Sequence, residues 1–144
     1  MSYLIEWFET YLKNRDIVHR KIVDMNKDGN DLEVKFKDKT QKFRFFTAFD
    51  SLDSEFLERN ENPALVFLNT RKNLNSLIIN WDKLVQFPKL CVYFVNPFSE
   101  TDTRWILFPY THNQISERKS LETGLQSMFS SVEETDLQSF EKKV

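Results

Sequence analysis

Glycine is nearly absent from this chain: only Gly29 and Gly124 occur in 144 residues. Phosphate-cradling loops need glycine where the backbone must approach a ligand closely, so neither a P-loop nor a dinucleotide fingerprint can be built here. Cysteine is scarcer still. Cys91 stands alone, which excludes an intrachain disulfide and fits a reducing compartment. No apolar run approaches the ~18 residues that a membrane-crossing helix needs. The opening MSYLIEWFETYL carries acids inside its apolar run and lacks the basic start of a signal peptide. A soluble, cytoplasmic protein without a membrane partner is therefore expected. An excess of one charge sign is lacking too. A formal charge of −2 gives no global pull towards nucleic acid or acidic lipid, so any such site must be a local patch.

Aromatic residues are plentiful. Fourteen Phe and 40% hydrophobic residues over this length predict one packed domain with a real core. Two apolar runs dominate. Leu90 to Val95 is unbroken, and Trp105 to Phe108 follows after a polar connection containing Pro97. They read as a buried antiparallel pair. Ahead of them, Ala64 to Leu68 reads as a strand. Leu74, Leu77, Ile78, Trp81 and Val85 form a helical stripe closed by Pro88, completing a βαβ unit with parallel strands and a right-handed crossover.

The first part of the chain predicts a helix capped by Ser2, with Leu4, Trp7, Phe8, Tyr11 and Leu12 on one face. A strand over Ile17 to Met25, a turn at Asn26 to Asn30, and two alternating strands then make an antiparallel meander. Leu32, Val34, Phe36, Phe43 and Phe45 fall on its dry face. A short acidic helix capped by Asp50 or Ser51 ends before Pro63. A last helix starts near Ser120, with Gly124 inside its apolar stripe, where close approach to the sheet would explain a glycine. The expected fold is α/β, leaning to α+β: one domain over 1–132, a mixed sheet of about six strands flanked by four helices, and a polar tail over 133–144 that frays.

Several residue patterns suggest chemistry. Asp24-x-Asn26-x-Asp28-Gly29 matches the opening of a calcium loop, but position eight is Asp31, position twelve is Lys35, and both flanks read as strands. A hairpin turn accounts for the same residues. Cys91 lies in an all-apolar strand, where a thiol is inert core. His112 reads as a surface or capping histidine. Lys35, Lys37, Lys42 and Arg44 should project from one sheet face, with Glu33 the acid beside them, and make the candidate nucleic-acid contact. Arg71 and Lys72, between a buried strand and a helix N-terminus, are the candidate anion site.

The predicted order α-β-β-β-α-β from Ser2 to Asn69 resembles the core of the restriction-endonuclease-like, PD-(D/E)xK, nucleases. That resemblance implies Mg²⁺ held by an Asp and a Glu-x-Lys on neighbouring strands, with the Lys positioning water. Glu33-Val34-Lys35 is such a Glu-x-Lys, and Asp24 or Asp16 would be the second carboxylate. The motif falls one strand earlier than the family pattern places it, and no Pro-Asp precedes it. The leading expectation is thus a non-catalytic binding module, with no cofactor or metal, for nucleic acid or a protein. The alternative is a Mg²⁺-dependent nuclease using Asp24, Glu33 and Lys35.

Overall fold

The computed structural model describes residues 1–144, except the side chain of Arg118. Its centre is one six-stranded sheet in the order β1-β2-β3-β4-β5-β6. The strands are β1 (Ile22–Asp28), β2 (Asp31–Phe36), β3 (Thr40–Phe46), β4 (Pro63–Leu68), β5 (Cys91–Val95) and β6 (Arg104–Leu107). The pairs β1/β2, β2/β3 and β5/β6 are antiparallel; β3/β4 and β4/β5 are parallel. The meander, the βαβ unit and the final pair are all as expected. Strands β4 and β5 are buried at every position, because layers cover both their faces.

One layer is α1 (Ser2–Asp16), whose Leu4, Ile5, Phe8 and Leu12 pack on Leu32, Val34, Phe43, Phe45, Val66 and Tyr93. The other face is covered by α2 (Ser54–Arg59), α3 (Arg71–Ile79), α4 (Trp81–Leu84) and α6 (Arg118–Ser130), around Phe67, Phe94 and Trp105. Both parallel crossovers step in one direction across the sheet. A common right hand therefore places their helices on one face. Trp81 is buried in that layer against Leu90, Val92 and Leu107. A further helix, α5 (Pro109–Ile115), is tied to α4 by Trp81 Nε1 donating to Asn113 Oδ1 at 3.1 Å.

Among the described residues the structure has seven helices where four were expected, and it corrects the sequence expectation in several further places. First, β1 begins at Ile22, not Ile17. The carboxylate of Asp16 accepts the N–H groups of Lys21 and Ile22 at 2.8 and 2.9 Å, and Arg20 turns the chain at φ 49°. Second, the hairpin narrows to Gly29 and Asn30: pairing runs on to Asp28 opposite Asp31, and Gly29 supplies φ 61°. Third, α1 has Met1 at its N-cap with no side-chain cap, and α2 is capped by Asp53, whose Oδ1 accepts the N–H of Phe56.

Fourth, the single predicted crossover helix is broken at Asn80, whose φ −94° and ψ 9° are not helical. Fifth, the segment after Glu133 does not fray. It forms α7 (Leu137–Lys143), capped by Asp136, and Phe140 is 1% exposed beside Tyr3 and Phe98. One aromatic in a polar segment is too sparse a pattern to read as a helix, yet it anchors the helix on the α1 side of the sheet. Gly124 has no packing role: a Cβ there would meet nothing within 4 Å.

Candidate functional site

The wet face of the meander is not a basic face. In register, Arg44 stands opposite Asp31 and Lys42 opposite Glu33, while Lys35 stands opposite Asp24 on β1. Asp28 pairs with Asp31. Four acids therefore share this face with Lys35, Lys42 and Arg44. Arg44 is committed to the fold. Its Nε and Nη2 donate to both oxygens of Asp31 at 2.8 and 2.9 Å, its Nη1 donates to Asp53 at 2.8 Å, and its guanidinium lies 4.2 Å from the centre of the Phe56 ring. Lys42 lies 4.0 Å from Asp31. Asp31 and Glu33 alternate in phase with Lys35 on β2 itself, and the pairing with β1 adds Asp24 and Asp28.

Cations gather instead at the end of the sheet where β1, β3, β4 and β5 begin. The last turn of α1 and its connection to β1 carry Lys13, Arg15, Arg20 and Lys21, with His19. The β2–β3 connection carries Lys37 and Lys39, with Lys35 at the end of β2. The N–H of Lys37 donates to the carbonyl of Lys21 at 2.8 Å, which fastens the two segments together. Seven Lys or Arg against Asp16 and Asp38 leave a formal +5 over residues 13–21 and 35–39, with Asp24 facing Lys35 from β1. The other 130 residues therefore carry −7.

All eight of these cationic or imidazole residues are exposed. The seven ion pairs among the described residues lie elsewhere. Asp16 lies within the patch and offsets one of these positive charges. The N–H of Ile22, then that of Lys21, holds its carboxyl below the ordinary 3.8, with His19 and Lys37 adding to the effect. Lys13 and Arg15 also suit the negative end of the α1 dipole.

Comparison with family models, curated proteins and solved structures found no match for this chain. Its site must be read from its own residues.

The catalytic alternatives find no assembled centre. No group of three His, Cys, Asp or Glu side chains among the described residues could hold a metal ion. Glu33 and Lys35 share a face of β2 with Asp24 beside them on β1, but the Asp24 carboxylate accepts the N–H of Met25 and the amide of Asn26 at 2.9 and 3.1 Å. Asp24, Asn26 and Asp28 stay within β1 and do not wrap around a point as a calcium loop does. Cys91 is 4% exposed, and burial pushes its thiol up to about 12, so it holds no nucleophilic thiolate at neutral pH. His112 sits on α5, its Nδ1 3.1 Å from the Phe108 carbonyl.

At the opposite end of the sheet, where β3 and β4 finish, a cleft of about 520 Å³ lies between Thr47, the start of α3 and the start of α7. Arg71 and Lys72 both line it. Arg71 is occupied: it donates to Gln126 and Glu134 and lies 4.6 Å from the centre of the Phe129 ring. Glu134, Asp136 and Glu141 line the same cleft, so acids outnumber the two cations.

Buried asparagines hold this end together. The Asn69 amide donates to the carbonyls of Phe129, Val132 and Glu133, and its Oδ1 accepts Trp105 Nε1 at 2.8 Å. Asn73 bridges Thr47, Phe49 and Leu68; Asn96 bridges Phe98 and Glu133. No buried side-chain N or O among the described residues lacks a partner. The polar run Asn69 to Asn73 is visible in the sequence, but its partners, up to 64 residues away, are not. The basic end did leave a signal, the dense charge of KNRDIVHRK. It was legible only as one of two halves.

Proposed function

We propose that this chain is a non-catalytic binding module that contacts the phosphate backbone of nucleic acid through its basic end. One observation carries the reading: two segments distant in sequence are hydrogen-bonded into a single surface of seven exposed Lys or Arg, and all the ion pairs among the described residues lie outside it. None of the seven makes an ion pair; Arg15 donates to the Tyr11 hydroxyl at 3.1 Å and Lys39 lies 5.6 Å from the centre of the Phe36 ring, neutral partners that leave the positive charge in place. Phosphate contact by such a surface is weakly dependent on sequence and releases counterions, so affinity falls steeply with salt. The surface lies on exposed side chains, so reversing them leaves stability nearly unchanged. No helix among the described residues is long and apolar enough to cross a membrane.

The test is titration of labelled single-stranded and duplex oligonucleotides at low and moderate salt. Lys37→Glu with Lys39→Glu should abolish binding, while Lys72→Glu at the far cleft should leave it intact. Each phosphate contact removed should flatten the slope of log affinity against log salt by about 0.7–0.9. Absence of binding at low salt would overturn the proposal. Binding lost in Lys42→Glu but retained in the Lys37/Lys39 reversal would return the site to the sheet face.

A further inference from the structure

Within the basic end, the last turn of α1 and the start of β1 enclose a cleft of about 270 Å³. Its apolar lining is Leu12, Ile22 and Phe36; its cationic lining is Arg15 and Lys21, with the His19 imidazole beside them. Lys39 lies 5.6 Å from the centre of the Phe36 ring, which sets another cation beside that aromatic side chain. The volume falls just under the ~300 Å³ at which pockets for drug-sized ligands begin, so it suits a single ring system. Two other clefts differ in kind. The larger one at the far end is lined by three acids, and the depression at Leu57, Phe87 and Pro88 has Glu58 and Glu61 beside Lys89.

We infer that this cleft takes the base of one unpaired nucleotide, with its flanking phosphates on the surrounding cations. The inference rests on the backbone-contact reading above and narrows its partner to single-stranded nucleic acid. A base offers a flat apolar face to the partly exposed Phe36 and Ile22, and the phosphate on either side of it meets Arg15, Lys21 or Lys39. In a duplex the bases are stacked on one another and cannot enter. Asp16 lines the cleft as well, its two carboxylate oxygens accepting backbone N–H groups, and its single negative charge is outnumbered by Arg15, Lys21 and Lys39. One aromatic ring gives a base-dependent increment without reading sequence, because every base has a stacking face.

The experiment compares a fluorescein-labelled oligothymidylate, an abasic oligomer of equal length and a blunt duplex, all at low salt. Oligothymidylate should bind about tenfold tighter than the abasic strand, the scale of one base–aromatic stack. Phe36→Leu should erase that difference while leaving abasic binding and the salt slope unchanged. Because Phe36 is half-buried, a second variant guards against a folding defect. Phe36→Trp keeps an aromatic ring, and its emission over that of the three native tryptophans, taken as the difference from the unsubstituted protein, should be quenched by oligothymidylate but not by the abasic strand. Equal affinity for oligothymidylate and the abasic strand, or a duplex that binds as tightly as oligothymidylate, or no quenching, overturns the cleft assignment and leaves the backbone reading standing. Failure of all three probes to bind overturns both.

Discussion

Truncating Asn69 tests whether the sheet and the C-terminal segment are held as one body. Asn69 is fully buried at the end of β4. In Asn69→Ala, Trp105 Nε1 loses the acceptor it meets at 2.8 Å. The Val132 carbonyl loses its donor at 3.2 Å. The other two carbonyls are not orphaned: Glu133 still accepts from Asn96 at 2.9 Å, and Phe129 still accepts the N–H of Val132 at 3.4 Å. Two buried groups without partners, at about 1–3 kcal/mol each, predict a loss of about 2–6 kcal/mol. That is a large fraction of the ~5–15 kcal/mol available to a domain. Urea melts followed by circular dichroism measure it, since Trp105 fluorescence would report its own changed surroundings. Asn69→Asp keeps an acceptor for Trp105 but sets a carboxylate against carbonyl oxygens. It should be costly at neutral pH and recover as acid protonates it, because its folded pKa would lie above the unfolded one. A loss below 1 kcal/mol in Asn69→Ala would refute the pinning role.

Three further outcomes follow from particular residues. Trp81→Ala should cost about 3–5 kcal/mol in the same melts, because Trp81 is 2% exposed in the helical layer; a cost under 1 kcal/mol would mean that it contributes little to that packing. Gly124→Ala should raise stability by about 0.5–1 kcal/mol, since the added methyl meets open space within a helix; a loss would reveal a contact there. The N–H of Phe56 and then Arg44 hold Asp53 below the ordinary 3.8, so its contribution to stability is present above that pH and is lost as pH falls through the lower folded value. The melting-temperature gap between the native protein and Asp53→Asn should close on acidification; a gap that widens would contradict the assigned shift.

Fold class was written in local patterns. Alternation at Leu32, Val34, Phe43 and Phe45 specified a two-faced meander, and the unbroken runs at Ala64–Leu68 and Leu90–Val95 specified strands covered on both sides. These signals survive because periodicity acts over a few residues and burial rewards it directly. Boundaries were less legible. The start of β1 depends on one carboxylate, Asp16, reaching past the turn, and α7 depends on one buried ring, Phe140, meeting residues from the start of the chain.

The candidate site divides along the same line. Sequence alone determined that the chain lacks the glycine for a nucleotide-cradling loop and that its cations occur in short dense groups. Tertiary structure decided which of those cations are free. Strand register sets Asp31 against Arg44, Glu33 against Lys42 and Asp24 against Lys35, and α2 adds Asp53, so three of the four expected contact residues fall on a face shared with acids. The link from Lys37 to Lys21 joins two groups 16 positions apart into one surface. Charge composition is additive along the chain, but neutralisation is a pairwise property of distance. Only the folded backbone brings pairs to the few ångströms at which they cancel or leave a surface charged.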